Sequence, residues 1–171
     1  SDILFDTDLG ALYRYHMKGD ALATLILYDH PMFNQVWVDL RSHILDFDSG
    51  TRPPGADKTP LTFTGIQIIH PRLLDFIPSN QFYSTIDAYK SALSVDKKIR
   101  AYIPDRLVWT DIGSPERYRD AACQAMAREI FFRLTHHQTP DIHMQKLAGD
   151  GSDRLWYRLT AADARVIMVD H

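Results

Sequence analysis

Two acids, Asp2 and Asp111, stand where an apolar run stops and a helix signature begins. The stretch "LVWT" (107–110) is rich in β-branched and aromatic residues and reads as a strand. Just past Asp111 and Gly113, Ser114 and Pro115 form a helix start, because a serine hydroxyl accepts an otherwise unpaired amide and proline fits the first turn. Asp2 lies in "SDILFDTDL", where a strand again gives way to a helix. A carboxylate at the C-terminal end of a strand, beside a helix start, faces the crevice in which open α/β sheets bind ligands. Two carboxylates turned on one point suit a hard cation such as Mg2+, which takes oxygen ligands and shares its remaining positions with water and phosphate oxygens. That arrangement serves phosphoryl or nucleotidyl transfer. Spacing alone leaves a plainer alternative open, in which Asp111 caps the helix region at Ser114 and Asp2 is a frayed terminal residue.

The elements that must position these acids alternate along the chain. "DLGALYRYHMKG" is an amphipathic helix with Asp8 as N-cap and Gly19 closing it. "ALATLILY" is apolar almost throughout and predicts a strand covered on both faces. "QVWVDL" and "HILDF" alternate as a hairpin around Arg41 and Ser42, residues 48–60 are a Gly/Pro/Asp-rich loop, and "LTFTGIQIIH" is a further strand. A short helix in "PRLLDFI", a longer one in "YSTIDAYKSALSV", strands "KIRAYI" and "RLVWT", and a helix from 115 to about 134 follow. "SDILF" reads as the end of a buried strand. Beyond His136 the texture changes to a linker (136–141) and three short strands (142–171), and both ends read as cut from a longer protein.

The totals exclude several classes. At 171 residues and 45% hydrophobic content the chain has ample material for a core. No long apolar run suits a membrane span, and the acidic opening is unlike a signal peptide. A net charge of -3 without a basic stripe argues against nucleic acid. The lone Cys123 leaves no disulfide framework or cysteine-based zinc site and fits a cytoplasmic protein.

"LTFTGIQIIHPRLLDFIP", "YSTIDAYKSAL" and "RAYIPDRLVWTDIGSPERYRDA", in this order, resemble the C-terminal half of the sugar-1-phosphate nucleotidyltransferases over roughly residues 1–128. The resemblance implies an α/β, Rossmann-like nucleotidyltransferase fold, with a mixed, mostly parallel sheet flanked by helices, followed by a short all-β tail. It implies that Asp2 and Asp111 are catalytic and ligate Mg2+. The implied reaction joins a sugar-1-phosphate to a nucleoside triphosphate, giving a nucleotide sugar and pyrophosphate. "FTGI" (63–66) resembles the sugar-pocket segment, with Gly65 allowing close backbone approach and Thr64 offering a hydroxyl. Ser84, Thr85 and Asp87 open the next helix and could reach sugar or phosphate, although capping by Ser84 explains it equally well.

Departures from the family pattern matter too. The Gly-rich nucleotide loop is absent, as is the usual Glu-Lys-Pro after the hairpin, where Lys58 reads best as a solvated lysine. The chain alone is therefore expected to lack most of its triphosphate site, supplied by a missing N-terminal half, and to show little or no activity. A rival reading is a non-catalytic sugar-binding or assembly module derived from this fold; a homo-oligomer is compatible with either. "KLAGDGSDRLWYRL…RVIMVDH" resembles the first strands of aminoglycoside-phosphotransferase-like sugar kinases, with Gly149 and Gly151 in a turn, but without their catalytic residues. His136, His137 and His143 match no strong metal spacing. Tyr118, Ala122, Ala125, Met126 and Ile130 read as a buried helix stripe, and Cys123 as packing.

Overall fold

The apolar run that follows the first helix becomes β2 (Ala23–Tyr28), buried at every residue from Ala23 to Leu27. Elements are numbered in chain order in the computed structural model, which describes residues 2–31, 33–47, 58–136, 141–148, 154–161 and 164–170. β2 is central because its side chains are apolar up to Tyr28 except Thr24, whose buried hydroxyl is paired with His16. It pairs antiparallel with β5 (Lys58–Ile69) and parallel with β6 (Ile99–Tyr102). β3 (Val36–Asp39) pairs antiparallel with β5 and with β4 (Ile44–Asp46), giving the order β4-β3-β5-β2-β6. The sheet is thus mixed, and the expectation of a mostly parallel one is corrected: β2–β6 is its parallel pair.

The hairpin turn between β3 and β4 is organised by one carboxylate. Asp39 accepts the amides of Arg41 and His43, each at 2.8 Å, and Ser42 takes a positive φ of 62° between them. Such local side-chain-to-backbone bonding makes aspartate a turn former. α1 (Leu9–Met17) begins as expected at Asp8, whose side chain accepts the Ala11 amide at 2.9 Å. Pro71–Phe76 is a short 3-10 helix, and α2 (Thr85–Leu93) follows. Their apolar faces meet the sheet in a core of Leu25, Leu27, Val38, Phe47, Leu73 and Tyr89, with Tyr89 stacked on Phe47 at 5.5 Å. Each fully buried aliphatic or aromatic side chain there contributes about 1.5–3 kcal/mol through loss of water contact.

β1 (Ile3–Asp6) pairs with β7 (Val108–Asp111) in a two-stranded sheet. β1 alternates half-buried and exposed residues, so the expectation that its apolar letters are buried is corrected. α3 (Pro115–Thr135) is followed by β8 (His143–Lys146), β9 (Leu155–Ala161) and β10 (Ala164–Asp170), in the antiparallel order β10-β9-β8. Cys123, Ala127 and Phe131 of α3 share a core with Tyr157, Leu159, Ala161 and Met168. Cys123 is buried, as its packing assignment requires, whereas none of the five residues of the expected stripe is: Tyr118, Ala125 and Met126 are exposed, and Ala122 and Ile130 are half-buried.

The chain divides into two compact units, Phe5–Trp109 on the one hand and Ser1–Leu4 with Thr110–His171 on the other. Of the 48–60 loop, Lys58, Thr59 and Pro60 prove to be the first residues of β5, and the rest lies outside the described residues. The linker residues 137–140 and the glycine turn at 149–153 lie outside them as well. Among the described residues no helix is long and apolar enough to cross a membrane.

Candidate functional site

β7 ends at Asp111, and α3 begins three residues later with Ser114 as N-cap, its hydroxyl accepting the Arg117 amide at 3.3 Å. Pro115 occupies the first turn, where a missing amide costs nothing. Asp111 itself turns back on the connection: one carboxylate oxygen accepts the Gly113 amide at 2.8 Å, and the other accepts the Arg117 guanidinium at 2.5 Å. Asp2 is exposed and precedes β1, so the expectation that it ends a strand as Asp111 does is corrected: the change from strand to helix comes after Asp6. Its backbone carbonyl accepts the Ile112 amide at 2.9 Å. The two acids, far apart in sequence, are therefore brought to neighbouring backbone positions within one unit.

The donor chemistry of this pair fits a hard divalent cation: two carboxylates, both reached by solvent, with no sulfur or imidazole among them. Among the described residues no group of three or more His, Cys, Asp or Glu is arranged to hold a metal ion. Arg117 was not anticipated from sequence. Its separation from Asp111 is no helical repeat, because a turn intervenes, and the pairing shows only once that turn is built.

The second set of expected residues lies in the Phe5–Trp109 unit. Leu25 pairs with Gln67 and Leu27 with Phe63, so Ile26 on β2 faces Thr64, Gly65 and Ile66 on β5. This is a β-bulge, and Gly65 at φ 88° supplies the backbone conformation that side chains resist. Thr64 is buried; its hydroxyl donates to the Ile26 carbonyl at 2.9 Å and accepts the Ile66 amide at 3.2 Å. The expected free hydroxyl is thus committed to holding the bulge. Ser84 is the N-cap of α2 and accepts the Ile86 amide at 3.2 Å, while Thr85 and exposed Asp87 lie in the first turn, where an acid complements the helix dipole. Tyr89 ties α2 to β5 by donating to Gln67 Oε1 at 2.6 Å.

Around the bulge the fold collects side chains that no local pattern singled out. Trp109 Nε1 donates to the Thr64 carbonyl at 2.9 Å, and its ring lies 5.4 Å from Tyr28. Tyr28 meets His30 edge-on at 5.7 Å, and His30 meets Phe33 at 4.9 Å. Phe33 remains 48% exposed, so the aromatic row ends in an open face. Asn34 knits the base of this row: its carbonyl oxygen accepts the His30 amide and the Thr62 hydroxyl, and its amide donates to Asp29 at 2.7 Å. His30 Nδ1 is buried with no hydrogen-bond partner among the described residues. Aromatic faces beside fixed polar groups are what a small polar ligand with apolar faces requires.

The lysine and histidines set aside in the sequence have structural positions. Lys58 opens β5 opposite Asp39, so it is a strand residue and not a loop lysine. His136 closes α3 in the left-handed region at φ 57°, and His143 begins β8.

No family model matches the chain. A UTP–glucose-1-phosphate uridylyltransferase of Synechocystis sp. (strain ATCC 27184 / PCC 6803 / Kazusa) is 31% identical over 135 residues, an alignment covering 75% of this chain and 34% of that protein. The chain thus spans about a third of the length of the curated relative it matches. Among solved structures, one from Bacillus anthracis described as a glucose-1-phosphate thymidylyltransferase, in complex with a sucrose, superposes with a TM-score of 0.50 at 16% identity. That match covers 72% of this chain and 51% of the other. Sequence and fold together support a domain similar to those of the sugar-1-phosphate nucleotidyltransferases.

Proposed function

We propose that this domain takes part in nucleotidyl transfer from a nucleoside triphosphate to a sugar-1-phosphate. An oxygen of the sugar phosphate attacks the α-phosphorus, the bond to the β-phosphate oxygen breaks, and pyrophosphate leaves with that electron pair. Such a step needs positioning and charge stabilisation more than covalent help from the protein. Asp2 and Asp111 would hold Mg2+, which when bound neutralises charge on the reacting phosphates. The open face of the Phe33, His30 and Tyr28 row would seat the sugar ring, with the exposed Asp29, held by Asn34, available to its hydroxyls. Gly65 keeps the bulge free of a side chain, so backbone there can approach a ligand. Ser84, Thr85 and Asp87 start α2, whose first amides offer partial positive charge to a phosphate, while Asp87 sets the exposed outer side of that turn.

The observation that carries this reading is the hydrogen bond from the Ile112 amide to the Asp2 carbonyl, which supports it by tying the backbone of Asp2 to the residue that follows Asp111. Support for the sugar-phosphate substrate comes from the relatives. The three antiparallel strands that end the chain are compatible with the kinase-like resemblance of residues 146–171, which would join production of a sugar-1-phosphate to its consumption. The test is Mg2+-dependent pyrophosphate release with hexose-1-phosphates and nucleoside triphosphates, using this chain and this chain joined to whatever its gene encodes ahead of Ser1. Release that vanishes in Asp111→Asn supports the reading. Sugar-phosphate binding without turnover in both forms would favour the non-catalytic sugar-binding module, and neither binding nor release would sink both.

A further inference from the structure

Both oxygens of the Asp111 carboxylate are engaged by the protein itself. Gly113 donates to one through its amide, which leaves the backbone turn in place whatever else binds. The other is held by Arg117, a side chain that has reason to be elsewhere: it stands in the first turn of α3, where the helix dipole disfavours a positive charge. Its amide is fixed by Ser114, so only the side chain would move to break the pair. The ion pair is half in solvent, with side-chain exposures of 57% for Arg117 and 40% for Asp111. Pairs this exposed are exchangeable.

We propose that Arg117 is a gate on metal occupancy, resting on the reading of Asp111 as a metal ligand. Arg117 neutralises Asp111 while no divalent ion is held, and it must release the carboxylate oxygen before an ion can use it. Arg117 is thus a positioning residue that sets metal affinity, not a ligand. The gate is selective by charge: a divalent ion brings twice the charge of the guanidinium to the same oxygen, whereas a monovalent ion gains no advantage over it.

The experiment is a Mn2+ titration of the 15N-labelled chain, following paramagnetic broadening of the Ile112 and Gly113 amides, in wild type, Arg117→Met, Arg117→Lys and Asp111→Asn. Arg117→Met keeps the alkyl stem and a good helix former, and is expected to bind Mn2+ about fivefold more tightly at low salt, the scale of one exposed ion pair. Arg117→Lys is expected to stay near wild type. Equal or weaker binding by Arg117→Met overturns the gate, as does a change in thermal midpoint without a change in Mn2+ affinity. Absence of site-specific broadening in wild type and Arg117→Met alike, or broadening that persists in Asp111→Asn, would instead remove the metal reading and the gate with it.

Discussion

Ile112 gives its amide to the carbonyl of Asp2 over 2.9 Å, so the backbone of the first acid is fixed one residue from the second. The tie is made by main chain, and the Asp2 carboxylate is left out of it. Asp2→Ala is therefore expected to leave the thermal midpoint unchanged while Mn2+ binding weakens. A fall in midpoint without loss of binding would show that the side chain serves structure and not an ion.

Gly65 makes a sharper claim on stability. Its φ of 88° lies where a Cβ is penalised, and the neighbouring Thr64 hydroxyl is already committed to Ile26. Gly65→Ala is expected to cost about 1–2 kcal/mol in urea unfolding, the usual strain of a left-handed side chain. No measurable loss would mean that the bulge relaxes to a conformation other than this one.

Ser84 separates two roles that its position allows. As a cap it supports the Ile86 amide, and Ser84→Ala is expected to lose about 1 kcal/mol while Ser84→Asp keeps the stability. If the hydroxyl also serves a phosphate ligand, Ser84→Asp fails in sugar-phosphate binding by calorimetry although its fold is intact, because a carboxylate repels the anion.

His16 supplies the pH dependence. It is buried, its Nδ1 lies 2.9 Å from Thr24 Oγ1, and burial, with the charge of His70 adding to it, holds its proton affinity below the ordinary imidazole value of 6.5. Its place in the last turn of α1 would pull the other way, so desolvation outweighs the helix dipole. The unfolded chain takes up the proton more readily than the folded one. Stability is therefore complete above 6.5 and falls as the pH drops through that value toward the folded-state one. Urea midpoints at about pH 7.5 and about pH 5.5 should differ in wild type and converge in His16→Gln.

Tyr89 joins two layers of the larger unit. Its ring is fully buried against Phe47, and its hydroxyl donates to Gln67. Tyr89→Phe is expected to cost about 1 kcal/mol, since it strands the Gln67 carbonyl, whereas Tyr89→Ala should cost about 3–5 kcal/mol through the cavity left behind. Similar losses in the two variants would mean that the hydroxyl, not the ring, dominates.

Local chemistry was legible where a residue's neighbours in sequence decide its structure. The double-sided burial of "ATLILY", the Asp8, Ser84 and Ser114 caps and the β3–β4 turn all follow from side chains acting within a few positions. Strand direction was not legible, because "KIRAY" pairs with β2 in parallel while "TFTGIQII" pairs antiparallel, and nothing inside either string distinguishes them. Pro60 reads as a loop residue since it lacks an amide, yet it sits opposite Trp37 near the start of β5. The candidate site divided the same way. Asp111 stands out as an acid at a strand end, whereas Asp2 precedes its strand, and its nearness to Asp111 depends on the β1–β7 pairing. The Tyr28, His30, Phe33 and Trp109 cluster likewise depends on pairing that brings residue 109 to residue 64. The Arg117 contact depends on the turn between β7 and α3, which brings the two side chains together.

The covering of β2 on both sides also bears on how the chain can be made. Its parallel neighbour, β6, comes from residues 99–102, long after β2 leaves the ribosome. Until those residues emerge, a greasy ribbon with one unsatisfied edge is exposed to other nascent copies, which can stack on it. Expression fragments that stop before Ile99 are for that reason expected in inclusion bodies, whereas fragments that continue past Tyr102 carry the strand that seals the edge.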